Sequence, residues 1–176
     1  MRIFSASALA LTGLFALEGC ASYLAAKESV SDLHPVAGMS GRMPLQVQAC
    51  VDRTGYAGRD LGREATEALT AKLKEAAGFE LEPDGRYVLT CDISAFEEGS
   101  AFKRWLLPSW GTTSGQVAVM ITDSATGETI ALVRGRATVQ AGGLYSVGAD
   151  KIILASAIDD VVRQLRLLAP DFVPGK

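Results

Sequence analysis

The sequence predicts an α+β domain, a two-layer sandwich in which one mixed four-stranded sheet carries two helices on one face, in the order β-α-β-β-β-α. Three observations predict it. Four segments alternate apolar and polar residues with period two, the signature of half-buried strands. Two longer segments repeat apolar residues at helical spacing. Every strand keeps a polar side, so both helices are most economically placed together on the shared apolar side.

The first strand is expected at Leu45–Asp52, opened by Pro44, with Leu45, Val47, Ala49 and Val51 alternating against polar partners. A turn at Arg53–Gly58 leads into a helix from Arg59 to Ala77, where Leu61, Ala65, Ala68, Leu69, Leu73 and Ala76 share one face and Gly78 closes the C-terminus. Pro83-Asp84-Gly85 is a turn into the second strand, Arg86–Glu97. Glu98–Ser114 reads as an irregular insertion, followed by a third strand at Gln116–Thr122. Asp123–Glu128 is a hairpin turn with Gly127 where positive φ is required, and the fourth strand runs over Thr129–Gln140. On that strand Ala131, Val133, Ala137 and Val139 fall on one face and Arg134, Arg136 and Gln140 on the other. After Gly142-Gly143 the last helix spans Val147–Leu168, with the stripe Leu154, Ile158, Val161, Leu165 and Leu168, and Pro170 stops it. The first strand–helix–strand unit should cross right-handed, which makes the first two strands parallel neighbours.

The N-terminus carries a different kind of signal. Met1-Arg2 precedes an apolar, small-residue run from Ile3 to Leu17, too short for the ~20 residues of a spanning helix. A charged start, a short apolar core and a small residue before the cut form a secretory signal. Leu17, Gly19 and Cys20 resemble the lipoprotein cleavage box, with Glu18 departing from it, so Cys20 is expected to be the acylated first residue of the mature chain. Ala21 after it resembles the outer-membrane sorting default. Each buried methylene of such an anchor contributes about 0.8 kcal/mol. The expected organisation is a signal peptide at 1–19, a lipidated tether at 20–43 with a short helix around Tyr23–Val30, an α/β domain at 44–170 and a tail at 171–176.

With 17 basic and 20 acidic residues, the chain has a net charge of -3 and no concentrated basic patch, which argues against nucleic acid as a partner. His34 is the one histidine and lies in the expected tether, which removes histidine triads and the usual histidine zinc sites. Gly55, Gly58 and Gly62 match neither dinucleotide nor P-loop spacing and read as a connecting loop. Asp123–Glu128 lacks the ligand density of a calcium loop. No catalytic set, metal site or cofactor is expected.

Cys50 and Cys91 remain for an oxidising compartment. Alternation puts Cys50 on the polar face of Gln46 and Gln48, and Cys91 on the apolar face of Tyr87, Leu89 and Ile93. Bridging opposite faces needs a bulge or a twist. A Cys50–Cys91 disulfide and two separately packed thiols both remain open.

The run Phe102 to Trp110 stands out, because both tryptophans of the chain lie in it beside two basic residues. Trp105, Leu106, Leu107 and Trp110, with Lys103 and Arg104, are the candidate docking loop. Three readings compete: Trp105 and Leu106 fold back over the open face of the sheet, the loop docks a protein, or it meets lipid headgroups. Arg134 and Arg136 form a basic stripe on the polar face, with Asp92 expected across from them.

From Tyr87 to Leu168 the chain resembles a family of small bacterial lipoproteins carrying a domain of unknown function. The resemblance rests on Tyr87-Val88-Leu89-Thr90-Cys91-Asp92-Ile93 with Phe96 and Gly99, then Val117-Ala118-Val119-Met120-Ile121, Asp123 with Thr126-Gly127-Glu128, and Gly142-Gly143 before the last helix. Thr90-Cys91 departs from it where a glycine is common. That family's domain resembles the N-terminal domain of TolB, which implies an assembly or binding module and supplies no catalytic residues. The expected function is thus non-catalytic: an outer-membrane lipoprotein, lipid-anchored and periplasm-facing, whose domain binds another cell-envelope protein. The competing expectation is an accessory solute- or lipid-binding lipoprotein of an envelope transport system, with its ligand between sheet and insertion.

Overall fold

The computed structural model describes residues 26–34, 41–106, 111–139 and 149–168. Among these described residues seven strands form one sheet. They are β1 (Ala26–Leu33), β2 (Met43–Val47), β3 (Val51–Asp52), β4 (Phe79–Leu81), β5 (Tyr87–Glu97), β6 (Thr113–Asp123) and β7 (Thr129–Val139). Two long helices, α1 (Leu61–Glu75) and α3 (Ala149–Leu165, continued by a 3-10 turn at Arg166–Leu168), flank a short one, α2 (Ala101–Leu106).

The spatial order is β1-β7-β6-β5-β2-β4, with β3 taking over from β2 beside β5. β2 runs parallel to β5, the neighbour relation expected of the first strand–helix–strand unit. The β6–β7 hairpin is antiparallel. Both long helices lie on one face: α1 packs on β3, β4 and β5, α3 on β1, β6 and β7, and the two touch each other. Lys72 of α1 and Asp159 of α3 make a 2.9 Å ion pair across that contact.

The core is the helix-side face. Leu89, Cys91 and Ile93 of β5, Val117, Val119 and Ile121 of β6, and Ala131, Val133 and Ala137 of β7 are all buried. They meet Leu61, Leu69 and Leu73 of α1 and the α3 stripe Leu154, Ile158, Val161, Leu165 and Leu168. α3 sits close because β7 has glycine at 135, where a Cβ would lie 2.4 Å from the Ala157 carbonyl oxygen. α1 begins under an Asp60 cap, whose carboxylate accepts from the Arg63 N–H at 3.0 Å.

The sheet departs from the four strands expected. Residues 26–33 were expected in the tether, with helix around Tyr23–Val30; they form β1, antiparallel to β7 from Ala26↔Thr138 to Leu33↔Ala131. Pairing with the exposed edge of β7 decides this, because a strand at that position satisfies a whole row of backbone groups. Ser29 fastens β1 to α3 by donating to Asp160 Oδ2 at 2.7 Å. Fully buried Asp160 also accepts from Gln164 at 3.0 Å and from Arg163. Burial pushes its carboxyl up, but the hydrogen bonds from Ser29, Arg163 and Gln164 outweigh it and hold the carboxyl below the usual range. β4 is a second addition, parallel to β2 and opened just after Gly78, whose carbonyl accepts from the Met43 N–H. The third is α2, inside the expected irregular insertion. His34, expected in the tether, follows β1 directly and donates its N–H to the Ile130 carbonyl at 2.8 Å.

The strand expected at Leu45–Asp52 is interrupted. Val47 pairs with Leu89 and Val51 with Asp92, so four residues advance on one strand against three on the other. That one-residue bulge turns Cys50 to the helix side, where it forms a disulfide with Cys91 across a Cα–Cα distance of 4.5 Å. Of the two readings of these cysteines, the structure has the bridge. The Cys50 N–H donates to Thr66 Oγ1 of α1 at 2.8 Å, and that hydroxyl donates to the Gly62 carbonyl at 2.7 Å. Gly62 is needed there, since a Cβ would come within 2.8 Å of the Cys50 carbonyl oxygen.

Candidate functional site

Three surfaces carry side chains that the core does not use. The first is the sheet face away from the helices. Following the register, Val51 of β3 lies beside Asp92 of β5, then Ala118 of β6, Arg134 of β7 and Val30 of β1. This row crosses five strands. Its two ends are apolar and open, with Val51 46% and Val30 56% exposed. The next row places Met120, 38% exposed, between Thr90 and Leu132. Asp92 does not pair with the expected arginine stripe: Ala118 stands between it and Arg134, and its carboxylate accepts from Arg53 Nε at 2.8 Å. Arg134 and Arg136 are exposed on this face.

The second is a polar and aromatic cluster where β5 ends. Asp52 Oδ1 accepts from the Thr54 N–H and hydroxyl at 2.8 and 2.7 Å, folding the loop so that Tyr56 turns back over the sheet. The Tyr56 ring lies 4.9 Å from the Phe96 ring, and its hydroxyl donates to Glu98 at 2.8 Å. That bond to the Glu98 carboxylate is the main reason the phenol is raised above its ordinary value, so Tyr56 stays a donor at neutral pH. The Arg59 guanidinium stands 5.4 Å over Phe96 and donates to the Asp150 carboxylate and backbone carbonyl at 3.3 and 3.0 Å. The cluster pins α1, α3 and β5 together. Arg59 Nη1 and Nη2 are engaged with Asp150, while its Nε is buried without a hydrogen-bond partner among the described residues, 3.6 Å from Glu64 Oε1.

The third is α2. Ser100 caps it by accepting from the Lys103 N–H at 3.3 Å, and its own N–H reaches the Gly111 carbonyl at 3.0 Å, closing the excursion. Phe102 and Leu106, four residues apart and so on one side of the helix, are 66% and 47% exposed. Lys103 is exposed beside them.

Of the expected docking loop, Leu106 and Lys103 therefore stand at the surface. Arg104 and Trp105 belong to α2 by their backbone; their side chains, and Leu107 and Trp110, lie outside the described residues, as does Cys20. The open-face row was missed by sequence reading, because only the register shows which residues line up. Among the described residues no group of three His, Cys, Asp or Glu is placed to hold a metal ion. No helix among them is long and apolar enough to cross a membrane. A depression lined by Asp52, Asp60, Gly62, Arg63, Thr66 and Glu67 is broad and open to solvent.

At the hairpin end, buried Asp123 accepts from Arg86 Nε and Nη2 at 3.1 and 2.6 Å and from the Ala125 N–H at 2.9 Å. Arg86 first, then the Ala125 N–H, hold its carboxyl below the usual range. This is turn architecture, as expected for Asp123–Glu128.

The family model described as "Domain of unknown function (DUF4410)" matches residues 53–143. No curated protein matches the chain. Among solved structures, the PelC dodecamer from Paraburkholderia phytofirmans is similar with a TM-score of 0.54 at 16% identity, over 77% of this chain and 98% of that one. The hypothetical protein CT253 from Chlamydia trachomatis is similar with a TM-score of 0.54 at 10% identity, over 73% and 99%. Lipoprotein GNA1162 from Neisseria meningitidis reaches a TM-score of 0.42 at 12% identity, over 69% and 96%. The first two likenesses show a shared fold.

Proposed function

The chain belongs to the DUF4410 family, and from that premise we propose that it is a non-catalytic lipoprotein of the outer membrane, held through acylated Cys20, whose periplasm-facing domain binds another cell-envelope protein. The observation that carries this reading is the sheet face away from the helices, where, among the described residues, Val51, Met120 and Val30 are exposed around Asp92, Ala118 and Arg134. A patch of separate apolar contacts among charges suits a non-obligate protein interface better than a buried core. Arg134 gives it a direction, since a partner must place an acidic group against it to dock without leaving a buried charge unpaired, whereas Asp92 already carries its ion pair with Arg53. The non-catalytic reading is supported by the Tyr56–Arg59–Glu98–Asp150 cluster, whose groups bind one another.

The test is recovery of partners from detergent-extracted envelopes with the wild-type chain and with Met120→Glu/Arg134→Glu. Both side chains are exposed, so the variant keeps its melting temperature while losing the envelope protein that the wild type retains. An unchanged set of recovered proteins would overturn the reading. Recovery of further copies of this chain alone would replace it with self-assembly, the state named for PelC.

A further inference from the structure

One end of the sheet holds two features that no single surface accounts for. β1 begins at Ala26, which pairs with Thr138; Thr138 pairs with Ser114, and Ser114 with Glu97. This row ends β1, β5, β6 and β7 together, and α2 starts four residues beyond Glu97. The start of the sheet-bound chain and the exposed Phe102–Leu106 pair therefore lie at the same end. Ile152, exposed in the first turns of α3, lies there too, because its neighbour Ile153 packs over Gly115 of β6.

Cys20 precedes Ala26 by six residues. Even fully extended, those residues reach about 20 Å. The hairpin at the opposite end begins at Asp123, nine residues along β6 from Ser114, which is about 30 Å of strand. With Cys20 in the bilayer, the hairpin end cannot be the end that meets it. We propose that this domain stands on its own membrane with the α2 end down, Phe102 and Leu106 entering the headgroup region of a phospholipid surface beside Lys103. The proposal rests on the acylated-Cys20 reading given above.

The chemistry fits a lipid surface. Phe102 and Leu106 offer apolar area on one side of a short helix, and Lys103 suits anionic headgroups. A single acyl-bearing residue with a short leader gains little orientation unless the domain adds contacts of its own. The same pose leaves the open sheet face upright and clear of the membrane, available to the protein partner.

The two tryptophans, Trp105 and Trp110, lie in sequence between Ser100 and Gly111, which are hydrogen-bonded to each other. They make the fluorescence of the native chain a reporter of this end. The experiment reconstitutes the full processed chain, purified from membranes, into phosphatidylethanolamine/phosphatidylglycerol vesicles whose acyl chains are brominated near the headgroup. Mass spectrometry of the same sample reads acylation at Cys20. The expected result is an acylated chain whose tryptophan fluorescence falls at least twofold relative to unbrominated vesicles, with Phe102→Asp/Leu106→Asp losing most of that quenching at an unchanged melting temperature. An acylated chain with no quenching overturns the pose and leaves the anchor standing. An unacylated N-terminus overturns the anchor and the pose with it. Tryptophans unquenched in vesicles but protected in intact envelopes would assign this end to a protein and also overturn the proposal.

Discussion

The two faces of the sheet are built on opposite rules. On one, α1 and α3 close over Leu89, Val119 and Val133, a disulfide ties β5 to the bulge between β2 and β3, and even the freed Cys50 N–H finds Thr66. On the other, no long helix packs among the described residues, and Val30, Val51 and Met120 stand exposed around Asp92 and Arg134. Antiparallel strands tolerate one wet face, so leaving it bare costs the fold little. The difference teaches where to look for stability and where for recognition: substitutions on the helix face should change the melting temperature, and those on the open face should change partners.

The largest effect is expected from the disulfide. Cys50 and Cys91 are separated by 41 residues, and closing such a loop contributes about 3–4 kcal/mol. Cys50→Ala/Cys91→Ala, or reduction, should lower the unfolding free energy from denaturant titration by that amount without altering partner recovery. Next comes Gly135→Val, which drives a side chain into the Ala157 carbonyl; separating α3 from β7 should cost about 3 kcal/mol in chemical unfolding. Thr66→Val leaves the Cys50 N–H unmet and should cost about 1–2 kcal/mol, whereas Thr66→Ser should restore most of it.

A smaller effect separates the faces by pH. Asp123 and Asp160 both have folded-state carboxyls held low by their donors. A depressed carboxyl stabilises the fold fully above its unfolded value near ~3.9 and loses that contribution as pH falls through the lower folded value. Thermal stability should therefore be level from neutral pH to about 5 and decline below about 4. Asp160→Asn should flatten that decline in a melting-temperature series, at the expense of stability at neutral pH. Smallest of all is Met120→Glu on the open face, which should shift stability by no more than about 0.5 kcal/mol.

Much of the helix face was legible in the sequence. The α3 stripe and the alternation of β5, β6 and β7 are local patterns, and each buries the residues its period selects. β1 was not legible, because its residues are polar on both sides: Ser29 and Ser31 face the helix layer, Asp32 the open side. It is a strand only because the edge of β7 is there to pair with. β4 spans three residues, too few to show a period. The disulfide was hidden by an unmarked bulge, since Gln48-Ala49-Cys50 has no glycine or proline to announce that alternation breaks. The open-face row was invisible for a related reason. Val51, Asp92, Ala118, Arg134 and Val30 are far apart in sequence, and only register brings them into line.

The most direct measurement compares the two faces in living cells, with a photo-reactive amino acid placed at Met120 on the open face or at Glu67 on the exposed side of α1. The account predicts a discrete adduct with one envelope protein from Met120, lost with Arg134→Glu, and none from Glu67. Adducts from Glu67 alone, or from both positions alike, would contradict the assignment of the bare face to recognition.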